Sequence, residues 1–142
     1  MAKFLGHSLG KMIILNLSRG DLLLETIEEE LENIKIKDAI ITSAIGSLQK
    51  VVLHRVRGFS SQPEDEWITL EKPMELASLQ GIVIDGQPHF HMVVSDTEQT
   101  YTGHLEHGTT VLYLAEITLM EIIGLDLKRV KDANNIAVLK GK

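Results

Sequence analysis

One stretch of the sequence decides the fold: residues 21–33, DLLLETIEEELEN, are the only segment with a strong helical period. Leu24, Ile27, Leu31 and Ile34 recur at spacings of three and four residues, and glutamates fill the opposite face. Asp21 supplies an N-cap or a first-turn acid. The pattern therefore predicts one helix from about Asp21 to Asn33 with a solvated acidic face.

Outward from this helix, nearly all of the chain has the alternating or continuously apolar pattern of β-strands. Turn signals that contain Gly, Asp or Ser separate the strands. The longest exposed loop is expected at residues 58–66, and the chain is expected to finish in a short tail over residues 132–142. The predicted strands are 11–17, 38–44, 48–57, 67–70, 74–84, 89–94, 100–104, 110–123 and 125–131.

This order of elements predicts a single α+β domain over residues 1–142, with its core at about 10–125, in which a mostly antiparallel β-sheet carries one main helix. The strands at 74–84 and 110–123 are apolar on both alternating faces for much of their length. One helix cannot cover that surface, so a second layer or a neighbouring subunit is expected to cover the rest.

Composition excludes several classes of protein. The chain has 142 residues, no cysteine and a formal net charge of −6. A disulfide framework, a thiol nucleophile and a thiolate zinc site are therefore excluded. No run reaches the apolar length of a membrane span and no signal peptide is evident, so we expect a soluble cytoplasmic protein that does not bind membranes. The acidic balance also opposes non-specific binding to nucleic acid.

Three of the six histidines have the spacing of metal ligands. His89 and His91 lie two apart in a predicted strand, so both side chains point to one face while Phe90 points to the other. If residues 96–99 form the hairpin turn, the strand partner of His91 is His104, and all three imidazoles converge. A slip of one residue in that register would destroy the convergence.

Three neutral histidines with an open fourth position are a ligand set for zinc, and they also suit iron, nickel or copper. His107 could replace His104 in another register, although its place beside Gly108 suggests the turn. His7 and His54 have no comparable partners in sequence and are interpreted as ordinary surface or sheet histidines.

The sequence as a whole resembles the plants-and-prokaryotes-conserved (PPC) domain, which in plants follows AT-hook DNA-binding motifs. The resemblance covers residues 10–125 and rests on the order of five short motifs. These are Arg19-Gly20-Asp21 before an acidic helix, Ala44-Ile45-Gly46-Ser47-Leu48 between two strands, ELASLQG at 75–81, DGQPHFH at 85–91, and Thr102-Gly103-His104-Leu105.

The resemblance implies a compact domain with a largely antiparallel sheet, a homotrimer, and a metal held by histidines that correspond to His89, His91 and His104. Zinc is the metal we expect. The resemblance also implies a distant structural kinship with acetolactate decarboxylase, whose zinc has a similar ligand set. The chain has no Arg-Gly-Arg core flanked by prolines and basic residues, so it lacks an AT-hook. Weak or no direct DNA binding is therefore expected.

Three functions remain open at this point. The first is a homotrimeric, metal-binding interaction or regulatory module that contacts other proteins. The second is a metal-dependent enzyme, in which a nearby acid handles protons. The third is a DNA-binding protein that uses Arg55, Arg57 and the C-terminal lysines. The candidate acids for the enzyme are Glu75, Glu106 and Glu116.

Overall fold

The computed structural model describes residues 1–142, which form eight strands and one helix. In chain order these are β1 Ser8–Ser18, α1 Leu23–Asn33, β2 Ala39–Val56, β3 Asp65–Ile84, β4 Gln87–Ser95, β5 Thr100–Leu105, β6 Thr110–Ile123, β7 Leu127–Lys131 and β8 Ala137–Gly141. The predicted mostly antiparallel sheet with one helix is confirmed. No helix has the length and apolar character needed to cross a bilayer.

Six strands make one antiparallel sheet in the order β1-β6-β2-β3-β4-β5. The sheet curls so that β5 also pairs with the end of β2, where Leu53 lies opposite Leu105 and His54 opposite His104. Strands β2 to β5 therefore close on themselves at this end, while β7 and β8 form a separate hairpin. This closure positions the candidate site.

Two predicted strand breaks are absent. The turn predicted at residues 45–47 is part of β2, because Gly46 lets β6 approach closely: a Cβ there would lie 2.6 Å from the Leu114 carbonyl oxygen. The break before residue 74 is a register shift between β2 and β3 that accommodates Pro73, which lacks a backbone N–H. Irregularities in the pairing of β2, at Gly46–Leu48 against β6 and at Leu48–Lys50 against β3, replace both predicted breaks.

The ends of two other elements also differ from the prediction. The helix begins at Leu23 without a side-chain cap. Asp21 instead accepts a hydrogen bond from the Ser18 backbone N–H at 2.7 Å, so its carboxylate closes the preceding turn. The expected C-terminal tail contains β8, which pairs with β7 in a hairpin.

The core contains the apolar face of the helix and the inner face of the curled sheet. Leu23, Leu24, Ile27 and Leu31 of α1 are buried together with residues of β1 to β6. Phe90 and Met92 of β4 are each only 1% exposed. The histidines that flank Phe90 consequently point to the opposite face of β4, as their alternation predicts.

Candidate metal centre

The hairpin of β4 and β5 has the predicted register. Ser95 lies opposite Thr100, and His91 lies opposite His104. The Asp96 side chain stabilises the turn, because its Oδ1 accepts hydrogen bonds from the backbone N–H groups of Glu98 and Gln99, each at 2.7 Å. A side chain within the turn therefore helps to fix which residues face each other across the hairpin.

The structure brings His89, His91 and His104 together. The ring centroids are 5.3 Å apart for His89 and His91, 4.9 Å for His89 and His104, and 5.6 Å for His91 and His104. The Nε2 atoms of His89 and His91 are 3.3 Å apart. The predicted hairpin register is confirmed and the three rings are neighbours, whereas their role as the ligands of one metal ion stays a prediction.

A fourth histidine joins the cluster, and here the sequence interpretation was wrong. His54 was interpreted as an ordinary sheet histidine, but its ring stacks on His104 with centroids 4.6 Å apart. Its Nδ1 lies 2.6 Å from Oε1 of Glu106. One ligand atom from each of His54, His104 and Glu106 lies within 4.8 Å of the other two, which makes this group a possible metal-binding set that differs from the predicted one.

Hydrogen bonds distinguish the two sets. Nδ1 of His104 lies 2.9 Å from the Leu105 carbonyl oxygen, which can only accept, so this nitrogen carries the proton. The Nε2 of a neutral His104 then keeps its lone pair for a ligand. The carboxylate of Glu106 accepts a hydrogen bond from Nδ1 of His54, so this pair is satisfied without a metal. We therefore interpret His54 and Glu106 as support for His104.

Burial favours the neutral form of two of the imidazoles. Desolvation lowers the pKa of His89 to about 4, and the positive charge of Arg129 adds to the effect. Desolvation likewise lowers the pKa of His104, with a further contribution from His54. Neutral imidazole is the form that binds a metal, so these surroundings favour ligation at pH 7.

The histidine cluster faces an open cleft of about 1200 Å³. His54, His89, His91 and His104 all line it. A small molecule could therefore reach the imidazole nitrogens from solvent.

The other candidate residues lie elsewhere. Glu106 is the one predicted acid that the structure places in the cluster, since Glu75 and Glu116 are exposed on β3 and β6. His107 contacts Glu28 of the helix at 2.8 Å. The exposed His7 precedes β1.

The two arginines considered for DNA binding, Arg55 and Arg57, do not offer two unpaired charges side by side. Arg55 lines the cleft and donates from Nε to Glu66 at 2.8 Å, whereas Arg57 lies just beyond the end of β2. The arginine that lines the cleft beside the histidines without a carboxylate partner is Arg129 of β7, a residue that no sequence motif singles out.

A curled antiparallel sheet with one helix and a histidine cluster at its closed end defines the class of this protein. The sequence profile of the Plants and Prokaryotes Conserved (PCC) domain, the family abbreviated PPC above, matches residues 6–123. The chain belongs to this family. No protein of curated function matches the sequence.

Solved structures agree with this assignment. A metal-containing protein from Archaeoglobus fulgidus is 29% identical, with a TM-score of 0.80 and a match covering 95% of each chain. A PPC protein from Pyrococcus horikoshii is 27% identical, with a TM-score of 0.82 over 100% of this chain and 99% of that one. A protein from Salmonella enterica, 24% identical with a TM-score of 0.80 over 95% and 96% of the two chains, shares the fold.

Proposed function

We propose that this protein binds one divalent metal ion per chain through His89, His91 and His104, and acts as a homotrimeric interaction or regulatory module. Zinc is the expected ion. The observation that carries the metal site is the 3.3 Å separation of the Nε2 atoms of His89 and His91. Two nitrogens that share a tetrahedral zinc ion at Zn–N distances of about 2.0–2.1 Å lie about 3.3–3.4 Å apart.

The surroundings of the third ligand support the same set. Metal-binding histidines usually donate their second ring N–H to a carbonyl or carboxylate, which fixes the ring and its tautomer. His104 has this partner in the Leu105 carbonyl, and Glu106 Oε1 lies 3.4 Å from the same Nδ1. The metal-containing protein from Archaeoglobus fulgidus is a further reason to expect a metal in a chain that shares its family and fold.

Three variants test the ligand set by metal analysis of purified protein. His91→Ala should lose most of the metal, because two neutral donors hold the ion far less tightly than three. His107→Ala is the matched control, since it removes an exposed histidine outside the cluster, and it should keep full stoichiometry. His54→Ala should retain metal with about 10- to 100-fold lower affinity, as expected for a supporting group.

The opposite pattern would overturn the assignment. If His54→Ala abolishes binding while His91→Ala keeps full stoichiometry, the ligands are His54, His104 and Glu106 instead. Circular dichroism of each variant shows whether a loss of metal reflects a loss of fold.

The outer face of the sheet supports the oligomer. Met12, Ile14 and Ile40 are 63%, 68% and 37% exposed, and Met12 and Ile40 both lie opposite Met120 of β6. This contiguous apolar face is the surface that a second copy would cover. Patterning alone allows a dimer, and the family resemblance supplies the number three.

Light scattering at micromolar concentration tests the assembly. The expected mass is three times the 15.8 kDa of one chain. Ile14→Glu should dissociate it, because an unpaired carboxylate would be buried at the interface. A monomeric wild-type protein would contradict the assembly.

A second candidate function, metal-dependent catalysis, is favoured by the open cleft. A bound metal would supply Lewis-acid chemistry there. Glu106, half-buried against His54 and His104, could hold a proton beside the reacting group.

Cobalt substitution distinguishes a catalytic site from a structural one. If the site is catalytic, azide should change the visible spectrum of the cobalt-loaded protein, because an open coordination position accepts the anion. An unchanged spectrum indicates a closed structural site.

A further inference from the structure

The hairpin of β7 and β8 forms one wall of the cleft, although it lies beyond the residues that the family profile matches. Arg129, Lys131, Asn135 and Ile136 of this segment line the cleft together with the histidines. The hairpin is held in place by buried Leu127 and by an ion pair of 2.8 Å between Lys142 Nζ and Asp85 Oδ1.

Arg129 faces the histidine cluster without a partner of its own. Its Nε is buried and has no hydrogen-bond partner. The guanidinium forms no salt bridge, although its charge is close enough to His89 to lower the pKa of that residue. A half-buried guanidinium is costly to leave unpaired, and its planar fork matches an oxyanion.

The charges along the cleft favour an anion as the partner. The lining contains three cationic side chains, Arg55, Arg129 and Lys131, but only one carboxylate, Asp65. Arg55 is already paired with Glu66, and Arg129 and Lys131 have no carboxylate partner. This local excess of positive charge is opposite in sign to the net charge of the chain, −6.

We propose that the cleft binds a small organic carboxylate, whose carboxylate group pairs with Arg129 beside the histidine cluster. This inference deepens the proposed function, because it rests on the histidines as a second, metal-dependent contact for the same ligand. The planar guanidinium of Arg129 matches the two oxygens of a carboxylate in a bidentate contact. A phosphate carries more charge and is usually held by backbone N–H groups at a helix N-terminus, and none lines the cleft.

The experiment titrates the protein with glycolate, a hydroxycarboxylate, and with glycolamide, its neutral counterpart. Inorganic phosphate and a mixed-sequence DNA duplex are titrated in the same way as alternative anionic ligands. Binding is followed by NMR through the Arg Nε–Hε signals and, in every variant, through the ring-proton signals of the histidines that line the cleft, in the zinc-loaded and in the chelator-treated protein. The variants are Arg129→Gln, Arg129→Lys and the matched control Arg57→Gln, which removes one exposed arginine outside the cleft.

Glycolate should shift the Arg129 signal and bind with a dissociation constant of roughly 1–10 mM, as expected for so small a ligand. Glycolamide should bind at least about tenfold more weakly. Arg129→Gln should weaken glycolate binding by about tenfold or more, because it removes a charge-assisted bidentate contact. The glycolate affinity of Arg129→Lys should lie between those of the wild type and Arg129→Gln, and Arg57→Gln should bind glycolate as the wild type does.

Equal glycolate affinity in Arg129→Gln and wild type would overturn the proposal, and so would tighter binding of phosphate or of the duplex than of glycolate. Loss of metal in Arg129→Gln as complete as in His91→Ala would also overturn it, because Arg129 would then belong to the metal site. An Arg129-dependent shift in the chelator-treated protein would support the anion site even if the metal assignment fails.

Discussion

The close packing of Gly103 against β2 leads to a specific prediction about the histidine cluster. A Cβ at position 103 would lie 2.6 Å from the carbonyl oxygen of His54 and 2.7 Å from Cδ1 of Leu53. The first of these atoms belongs to the backbone of β2, so a side-chain rotation cannot relieve the clash. In Gly103→Ala, β5 must move away until that distance reaches at least 3.0 Å.

The size of the effect follows from what this movement disturbs. Strand β5 pairs with β2 at only two positions, and the adjacent Leu105 is 1% exposed. Overpacking of this kind costs about 1–3 kcal/mol. The movement also displaces His104, which follows Gly103 directly in β5. A binding site tolerates displacements of its side chains of only about 0.5 Å. We therefore expect metal affinity to fall by about 10- to 100-fold, as for the loss of a supporting group.

Urea unfolding measures the stability change, and the single tryptophan, Trp67, is a suitable reporter because its ring lies 5.3 Å from that of His54. Metal affinity is measured by competition with a chelator. Gly141→Ala is the matched control, since the nearest atom to its Cβ is 3.9 Å away, and it should change stability by less than about 0.5 kcal/mol. The reasoning is refuted if Gly103→Ala equals this control in both stability and metal affinity.

Three further predictions concern buried polarity, pH and DNA. Thr109 is fully buried, and Thr109→Val should lower the free energy of unfolding by about 1–3 kcal/mol, because the Val52 N–H loses its acceptor at 3.0 Å. A urea curve that shows no greater loss than the exposed Thr102→Val would contradict this. The Glu28 carboxylate raises the pKa of His107 above 6.5, so their interaction stabilises the fold fully below that pH and is lost as pH rises through the raised pKa. After solvent screening the gain is at most about 0.5 kcal/mol, and the stability gap between wild type and His107→Gln should therefore be larger at pH 6 than at pH 9; an equal gap would count against the pair. Generic duplex DNA should bind more weakly than about 10⁻⁵ M at about 150 mM salt, because a chain of charge −6, repeated in a trimer, repels the duplex. Sub-micromolar affinity by anisotropy would overturn that expectation and favour a DNA-binding role.

The local pattern of the sequence determined the helix, most strands and the alignment of three histidines. Alternation along β4 places His89 and His91 on one face, and the turn that begins at Asp96 determines that His104 lies opposite His91. These relations involve neighbours along the chain or across one hairpin. Side-chain period and turn chemistry therefore suffice to predict them.

The limits of that local reasoning appear at the strand breaks. Gly46 and Pro73 are ordinary turn signals in a sequence, and each lies in a predicted break between strands. In the structure they lie at irregularities within β2 and β3, because a neighbouring strand approaches Gly46 and a register shift accommodates Pro73. A single sequence does not reveal which strand will pack against a glycine.

Only the tertiary structure decided the membership of the full site. His54 enters the cluster because the curled sheet pairs the end of β2 with β5, and Glu106 lies 52 residues further along the chain. Arg129 enters from a hairpin outside the main sheet. The sequence by itself determined the three converging imidazoles, since period and turn geometry are local properties. Strand closure and hairpin docking depend on bulges and packing summed over the whole chain, so the supporting histidine, its carboxylate and the unpaired arginine became recognisable only in the folded protein.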